Sequence, residues 1–102
     1  MRKEEEVNYL ERCYEKSPDI VSRKIADEYI LVPIRHNVGD LESIYTLNEV
    51  SARIWDLIDG KNKVNQIKDR IIEEFEVTDK EAERDLTEFL QKLEKIEAIT
   101  PA

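Results

Sequence analysis

The sequence LNEVSARIWDLIDG, at residues 47–60, predicts the helix around which the rest of the chain is arranged. Asn48 is a favourable N-cap residue, and Gly60 lies where a residue in the left-handed conformation can end a helix. Trp55 widens the apolar face of this helix beyond one stripe. The other apolar residues recur at helical spacing: Val50, Ile54, Leu57 and Ile58. We therefore expect a central helix that is contacted on more than one side.

The length and composition of the chain predict one small domain with a strongly charged surface. The chain has 102 residues, of which 39% are charged and 40% are hydrophobic. It contains no apolar run long enough to span a membrane and no apolar core of a signal peptide, so we expect a cytoplasmic protein. Twenty-four acidic residues against 16 basic ones give a net charge of −8, which disfavours nucleic acid and anionic membranes as partners.

Residues 2–16 are predicted to form an amphipathic N-terminal helix, which ends before Pro18 because the residue preceding a proline avoids the helical conformation. Its apolar stripe comprises Val7, Leu10 and Tyr14, with Cys13 as a small apolar residue beside it. Three arrangements of this helix stay open: it packs on its own domain, it is exchanged with a second copy in a homodimer, or it covers a binding groove. The chain is accordingly predicted to divide into two parts, residues 1–17 and residues 18–102.

Between residues 20 and 47 the chain changes to short runs rich in β-branched and aromatic residues, which predict a small sheet. The predicted strands are residues 21–25, 28–32 and 42–47. Sequential antiparallel pairing places the third strand at an edge of this sheet. The third strand contains neither proline nor lysine, which usually protect an exposed edge. Its edge is therefore expected to be covered by another part of the molecule or used to bind a partner.

Two further helices are predicted after the central one. The apolar residues of the first are Val64, Ile67, Ile71, Ile72 and Phe75, and it ends near Phe75. Thr78 and Glu81 then have the spacing of a capping box, which predicts the start of a long third helix. The apolar face of the third helix comprises Ala82, Leu86, Phe89, Leu90, Leu93 and Ile96.

Residues that could carry catalysis are scarce in this sequence. His36 is the single histidine and Cys13 the single cysteine, so no pair of such residues exists to bind a metal or activate a nucleophile. With two glycines, Gly39 and Gly60, the chain has no glycine-rich phosphate loop. We therefore expect a binding protein without metal or cofactor rather than an enzyme.

Four segments of the chain resemble the PqqD-like family, named after protein D of pyrroloquinoline quinone biosynthesis. They are LNEVSARIWDLIDG, VNQI, IIEEFEV and EAERDLTEFLQKLEKIEAI, and the resemblance extends over about residues 20–99. It implies an α+β, winged-helix-like fold, in which a three-stranded antiparallel sheet precedes three helices. It also implies a non-catalytic function, in which the protein binds the leader of a ribosomally synthesised precursor peptide. The protein would present this leader to a modifying enzyme, such as a radical SAM maturase.

The resemblance places the leader between the third strand and the third helix. An extended peptide can add to an exposed sheet edge through main-chain hydrogen bonds, while neighbouring pockets receive its side chains. On this sequence the implied contacts are Ile44, Tyr45 and Thr46 on the strand and Arg84, Asp85, Glu88 and Phe89 on the helix. Two alternatives stay open: Phe89 belongs to the core, and Asp85 and Glu88 only solvate the helix.

The sequence departs from the family pattern at three places. Lys63 replaces the usual Ser or Thr before the second helix, so Asn62 is an alternative cap. Glu97 replaces a glycine that is common near the end of the third helix. The predicted N-terminal helix lies outside the resemblance.

Two other functions are compatible with a winged-helix-like fold. A transcription regulator should present a basic recognition helix, whereas the third predicted helix is rich in acidic residues. A structural subunit with a blocked edge strand is the remaining alternative. We favour the leader-binding protein over both.

Overall fold

The computed structural model describes residues 9–34 and 45–102. Three helices lie wholly within this part: α1 (Glu49–Leu57), α2 (Val64–Phe75) and α3 (Asp79–Lys95). The strands are β1 (Tyr14–Lys16), β2 (Ile20–Ile25), β3 (Glu28–Pro33), β4 (Tyr45–Leu47) and β5 (Ile99–Pro101). The predicted α+β class, with a three-stranded antiparallel sheet followed by three helices, is confirmed. No helix in residues 9–34 and 45–102 is both long and apolar enough to cross a membrane.

The main sheet has the strand order β2-β3-β4, and both pairings are antiparallel. The two residues between β2 and β3 are Ala26 and Asp27, and Ala26 adopts the left-handed conformation with a φ of 57°. The predicted first and second strands agree with β2 and β3 to within one residue at each end. Of the predicted third strand, residues 45–47 form β4, and residues 42–44 lie outside the described residues.

The N-terminal helix was predicted wrongly at its end, because Tyr14–Lys16 form a strand. This strand, β1, pairs antiparallel with β5 at the opposite end of the chain. On its other side it meets the α1–α2 connection: the Gly60 N–H donates to the Tyr14 carbonyl at 2.8 Å. Cys13 forms a bridge with Lys63 instead of lying on a helix face. Residues 2–8 lie outside the described residues, and the division of the chain at residue 17 stays a prediction.

The core lies between the helices and one face of the main sheet. Trp55 on α1 is 4% exposed, which confirms that α1 is a central helix contacted on several sides. Tyr14 of β1 is 1% exposed, and its hydroxyl accepts a hydrogen bond from the Arg12 guanidinium at 3.1 Å. The Lys16 ammonium lies 5.2 Å from the centre of the Trp55 ring, close enough for a cation–π contact. Residues before the main sheet therefore complete the core.

Two of the predicted helix starts are confirmed by their hydrogen bonds. The Asn48 side chain accepts from the Ser51 N–H at 2.8 Å at the start of α1. Thr78 and Glu81 form the reciprocal bonds of a capping box at the start of α3, at 3.1 and 3.2 Å.

Two predictions about the connection between α1 and α2 are wrong. Asn62 does not cap α2; its side chain donates to the Leu57 carbonyl at 3.1 Å, at the end of α1. Lys63 occupies the N-cap position of α2. Gly60 has the predicted positive φ, at 81°, but it lies two residues beyond the C-cap Ile58 and turns the chain toward β1.

The end of α3 is a Schellman motif with an unfavourable residue in its left-handed position. The Ala98 N–H donates to the Leu93 carbonyl and the Glu97 N–H to the Glu94 carbonyl, which are the two bonds that define this motif. Glu97 adopts a φ of 61°. Because a side chain in this conformation is strained, the structure explains why a glycine would suit the position.

Glu97→Gly is therefore expected to raise the free energy of unfolding by about 0.5–1 kcal/mol, since the relief of strain exceeds the added backbone entropy of glycine. Glu97→Ala is the control, because alanine removes the side chain and keeps the strain; it should change stability by less than about 0.5 kcal/mol. Chemical denaturation measures both. Equal effects of the two substitutions would show that the glutamate side chain, and not the backbone conformation, sets the stability.

Candidate functional site

Strand β4 is an edge of the main sheet in the part of the chain that the structure describes. Its three residues pair with β3 in the register Leu31↔Tyr45, Ile30↔Thr46 and Tyr29↔Leu47. Its other side pairs with no further described strand. An edge of this kind presents backbone N–H and C=O groups that can bind an added strand.

The opposite edge of the same sheet, β2, is protected by charged residues. Arg23 and Lys24 lie in the second half of β2, and both are exposed. The Lys24 ammonium lies 5.6 Å from the centre of the Tyr29 ring on the neighbouring strand. Charged side chains, lysine above all, discourage the pairing of another strand with an edge. Within residues 9–34 and 45–102, β4 is therefore the sheet edge that lacks both a paired strand and charged residues.

The predicted contacts on β4 lie on opposite faces of the sheet. Leu47 is buried in the core, and Tyr45 is half-buried and packs against the core. Because side chains alternate along a strand, Tyr45 and Leu47 face the helices, whereas the exposed Thr46 faces the other way. Tyr45 is thus the described β4 side chain that can line a groove beside the helices. Ile44, the remaining predicted contact on this strand, lies outside the described residues.

The four predicted contacts on α3 lie on two of its faces. Arg84 and Glu88 are exposed one turn apart, and together they contribute to a shallow depression. Among the described residues, this depression is lined by α3 alone: Lys80, Glu83, Arg84, Thr87 and Glu88. Asp85 and Phe89, also one turn apart, are not in its lining. No described residue of β4 lines this depression.

Phe89 and Asp85 differ in what they can offer a ligand. Phe89 is half-buried and packs against the core, so part of its ring faces away from the core. Asp85 lies 3.9 Å from the Arg84 guanidinium, with 52% and 67% of the two side chains exposed. A pair this exposed contributes little to stability, so both charges are available to a partner.

A contact that the sequence analysis did not identify joins the N-terminal segment to α3. Burial raises the pKa of Tyr9 to about 12, and the neighbouring Thr87 side chain lowers it in part. The buried Tyr9 hydroxyl nevertheless has no partner within hydrogen-bond geometry among the described residues. Since Thr87 also lines the depression, the N-terminal segment lies next to it. The apolar stripe of residues 2–16 could have indicated contact with a helix, but not with which one.

No group of three or more His, Cys, Asp or Glu side chains in residues 9–34 and 45–102 is arranged to hold a metal ion. The same residues present a β4 edge without a described strand partner, a half-buried tyrosine on that strand, and a partly exposed phenylalanine on α3.

Comparison with known proteins decides the family. Residues 28–99 match the family model described as coenzyme PQQ synthesis protein D, PqqD. The chain belongs to the PqqD family. The match contains β3, β4 and all three helices, whereas β1 and β2 precede it. No curated protein matches the chain.

A solved structure described as TbiB1 in complex with the TbiA(beta) leader peptide is similar to this PqqD-family protein. The TM-score is 0.67 and the sequence identity 30%, and the alignment covers 83% of this chain and 93% of TbiB1. The similarity therefore includes nearly the whole of a protein that has been observed with a bound leader peptide.

Substitution of Phe89 and its neighbour Leu90 distinguishes a core residue from a contact residue. Leu90 is fully buried, so Leu90→Ala should lower the free energy of unfolding by about 3 kcal/mol or more. Phe89→Ala should cost less than about 2 kcal/mol, because its ring is only partly buried. Chemical denaturation of both variants gives the comparison. A loss for Phe89→Ala as large as that for Leu90→Ala would assign Phe89 to the core.

Proposed function

We propose that this PqqD-family protein binds the leader of a precursor peptide as an added strand at the open edge of β4. The observation that carries the proposal is the edge itself, which within the described residues has no strand partner and no protecting charge, in contrast to β2. The similarity to TbiB1, which was observed with a leader peptide, supports the proposed ligand.

Backbone pairing with β4 is too limited to provide the whole affinity. A three-residue edge directs one or two residues outward, which offer about two to four hydrogen bonds at about 0.5–1.5 kcal/mol each. A micromolar complex requires about 8 kcal/mol beyond the cost of association. We therefore assign a substantial part of the affinity to side chains beside the strand.

Tyr45 and Phe89 are the proposed apolar contacts of the leader, because both are half-buried and leave part of a ring to cover. Arg84, Asp85 and Glu88 are the proposed polar contacts, since all three are exposed on α3. Thr46, on the other face of β4, contributes mainly its backbone. Ile44 remains a proposed contact from the resemblance alone.

We propose that the protein itself catalyses no step and uses no cofactor. The covalent chemistry then belongs to a separate peptide-modifying enzyme, such as a radical SAM maturase, to which the bound leader is presented. The location proposed for this process is the cytoplasm.

Proline substitution in β4 tests the proposed strand addition. Tyr45→Pro and Thr46→Pro each remove one backbone N–H, and only one of two neighbouring residues points its N–H outward, so both variants are needed. At least one of them should weaken leader binding tenfold or more, measured by calorimetry with candidate leader peptides from neighbouring open reading frames. Thr46→Ala is the matched control, because it keeps the N–H and should bind as the wild type does.

Circular dichroism must first show that each proline variant is folded, because proline can also disrupt pairing with β3. Wild-type affinity in both folded proline variants would contradict strand addition at β4. If the leader binds and the Tyr45→Ala and Phe89→Ala variants alone lose affinity, the side chains and not the backbone recognise it.

A further inference from the structure

Two tyrosines of the N-terminal segment, residues 9–16, differ in the hydrogen bonds of their hydroxyl groups. The Tyr14 hydroxyl accepts from the Arg12 guanidinium at 3.1 Å. The Tyr9 hydroxyl is shielded from water, yet no described donor or acceptor lies within hydrogen-bond geometry of it. A buried hydroxyl without a partner destabilises a folded protein, and such groups are rare in native structures. The Tyr9 hydroxyl therefore lacks a partner that another state of the molecule can supply.

The side chains around Tyr9 include one suitable partner. The Arg12 guanidinium lies 5.8 Å from the centre of the Tyr9 ring, so it contacts the face of the ring, and it donates to Tyr14. Thr87 on α3 is the neighbouring side chain with a hydroxyl group. Tyrosine and threonine hydroxyls can each donate and accept a hydrogen bond. A small shift of α3 toward Tyr9 would therefore complete the missing bond.

Thr87 lies on the side of α3 opposite to two of the proposed leader contacts. At about 100° per residue, it is about 160° around the helix axis from both Asp85 and Phe89. Glu94 lies two turns after Thr87 on the same side, and it is a neighbour of Tyr14. The N-terminal segment thus supports the side of α3 that points away from Phe89.

A leader strand in the proposed groove would press α3 toward this support. The leader would pack against Phe89, and a displacement of α3 away from the leader is directed at Tyr9. Packed helices shift by about 1–2 Å in ligand-driven transitions, which is enough to bring a neighbouring hydroxyl into hydrogen-bond range. Tyr9 precedes residues 28–99, which match the family model, so this contact is additional to the domain that the family shares.

We propose that Tyr9 is a positioning residue for leader binding: its hydroxyl bonds to Thr87 in the complex and holds Phe89 against the leader. This inference rests on the proposed function. Because the bond forms in the complex and not in the free protein, it contributes to leader affinity and not to the stability of the free protein. A tyrosine with a purely structural role would show the reverse pattern.

The test compares the two tyrosines. Tyr9→Phe keeps the ring and should weaken leader binding about three- to tenfold, as the loss of one hydrogen bond does. The denaturation midpoint of the free Tyr9→Phe variant should stay unchanged or rise, because the variant loses a buried hydroxyl without a partner. Tyr14→Phe is the matched control: it should lower the midpoint and change leader affinity less than twofold, since its bond to Arg12 exists without leader. Calorimetry with candidate leader peptides from neighbouring open reading frames measures the affinities, and chemical denaturation measures the midpoints.

Variants of Thr87 identify the partner of the Tyr9 hydroxyl. Thr87→Val removes the threonine hydroxyl and should weaken leader binding as much as Tyr9→Phe does. Thr87→Ser keeps a hydroxyl and should bind the leader within twofold of the wild-type affinity. The double variant Tyr9→Phe/Thr87→Val should bind no more weakly than either single variant, because both substitutions remove the same bond.

Wild-type leader affinity in the Tyr9→Phe variant would overturn the inference and leave the proposed function intact. A lowered midpoint for Tyr9→Phe, with losses of affinity that add to those of Thr87→Val, would assign Tyr9 a structural role and also overturn it. If the wild-type protein binds none of the candidate leader peptides, the proposed function fails, and the inference fails with it.

Discussion

Backbone N–H and C=O groups that are removed from water must find new partners, and this requirement governs the arrangement of the strands. Both edges of β1 have hydrogen-bond partners: β5 pairs with one edge, and the connection at Gly60 donates to the other. β2 leaves an edge in solvent and protects it with Arg23 and Lys24. β4 has neither arrangement within the described residues. The proposed binding at β4 rests on this contrast with β1 and β2.

The β1–β5 ribbon connects the two ends of the described chain and supports the helices, and β1 lies outside the region of the family match. Tyr14 fills the core from β1, and Lys16 covers the Trp55 ring of α1. The ribbon in turn depends on the Schellman motif at the end of α3, because that turn directs the buried Ala98 and Ile99 back toward β1. The strained conformation of Glu97 is tolerated because the packing of the following residues stabilises it. The face of α3 that carries Phe89 is therefore held by contacts at both ends of the helix.

Local signals allowed the sequence to predict the helices and most of the sheet. The caps at Asn48 and Thr78 depend on residues three positions apart, and the apolar periodicity of each helix needs no distant partner. The strand at Tyr14–Lys16 could not be predicted in this way, because its partners are residues 99–101 and the connection near Gly60. Asn62 was assigned to the wrong helix for a similar reason, since its side chain bonds backward to Leu57. For the candidate site, the open edge followed from composition and strand order, but the separation of Arg84 and Glu88 from Asp85 and Phe89 required the structure.

Amide hydrogen exchange, followed residue by residue by NMR in the presence of a leader peptide, tests the central claim most directly. If the leader pairs with β4, the outward amide of this strand should exchange at least tenfold more slowly in the complex, and the amides of Arg23 and Lys24 on β2 should be unchanged. Matching protection of alternate amides in the leader would identify it as the added strand. Protection confined to β2, to β5 or to the depression on α3, with exchange in β4 unaffected, would contradict the account.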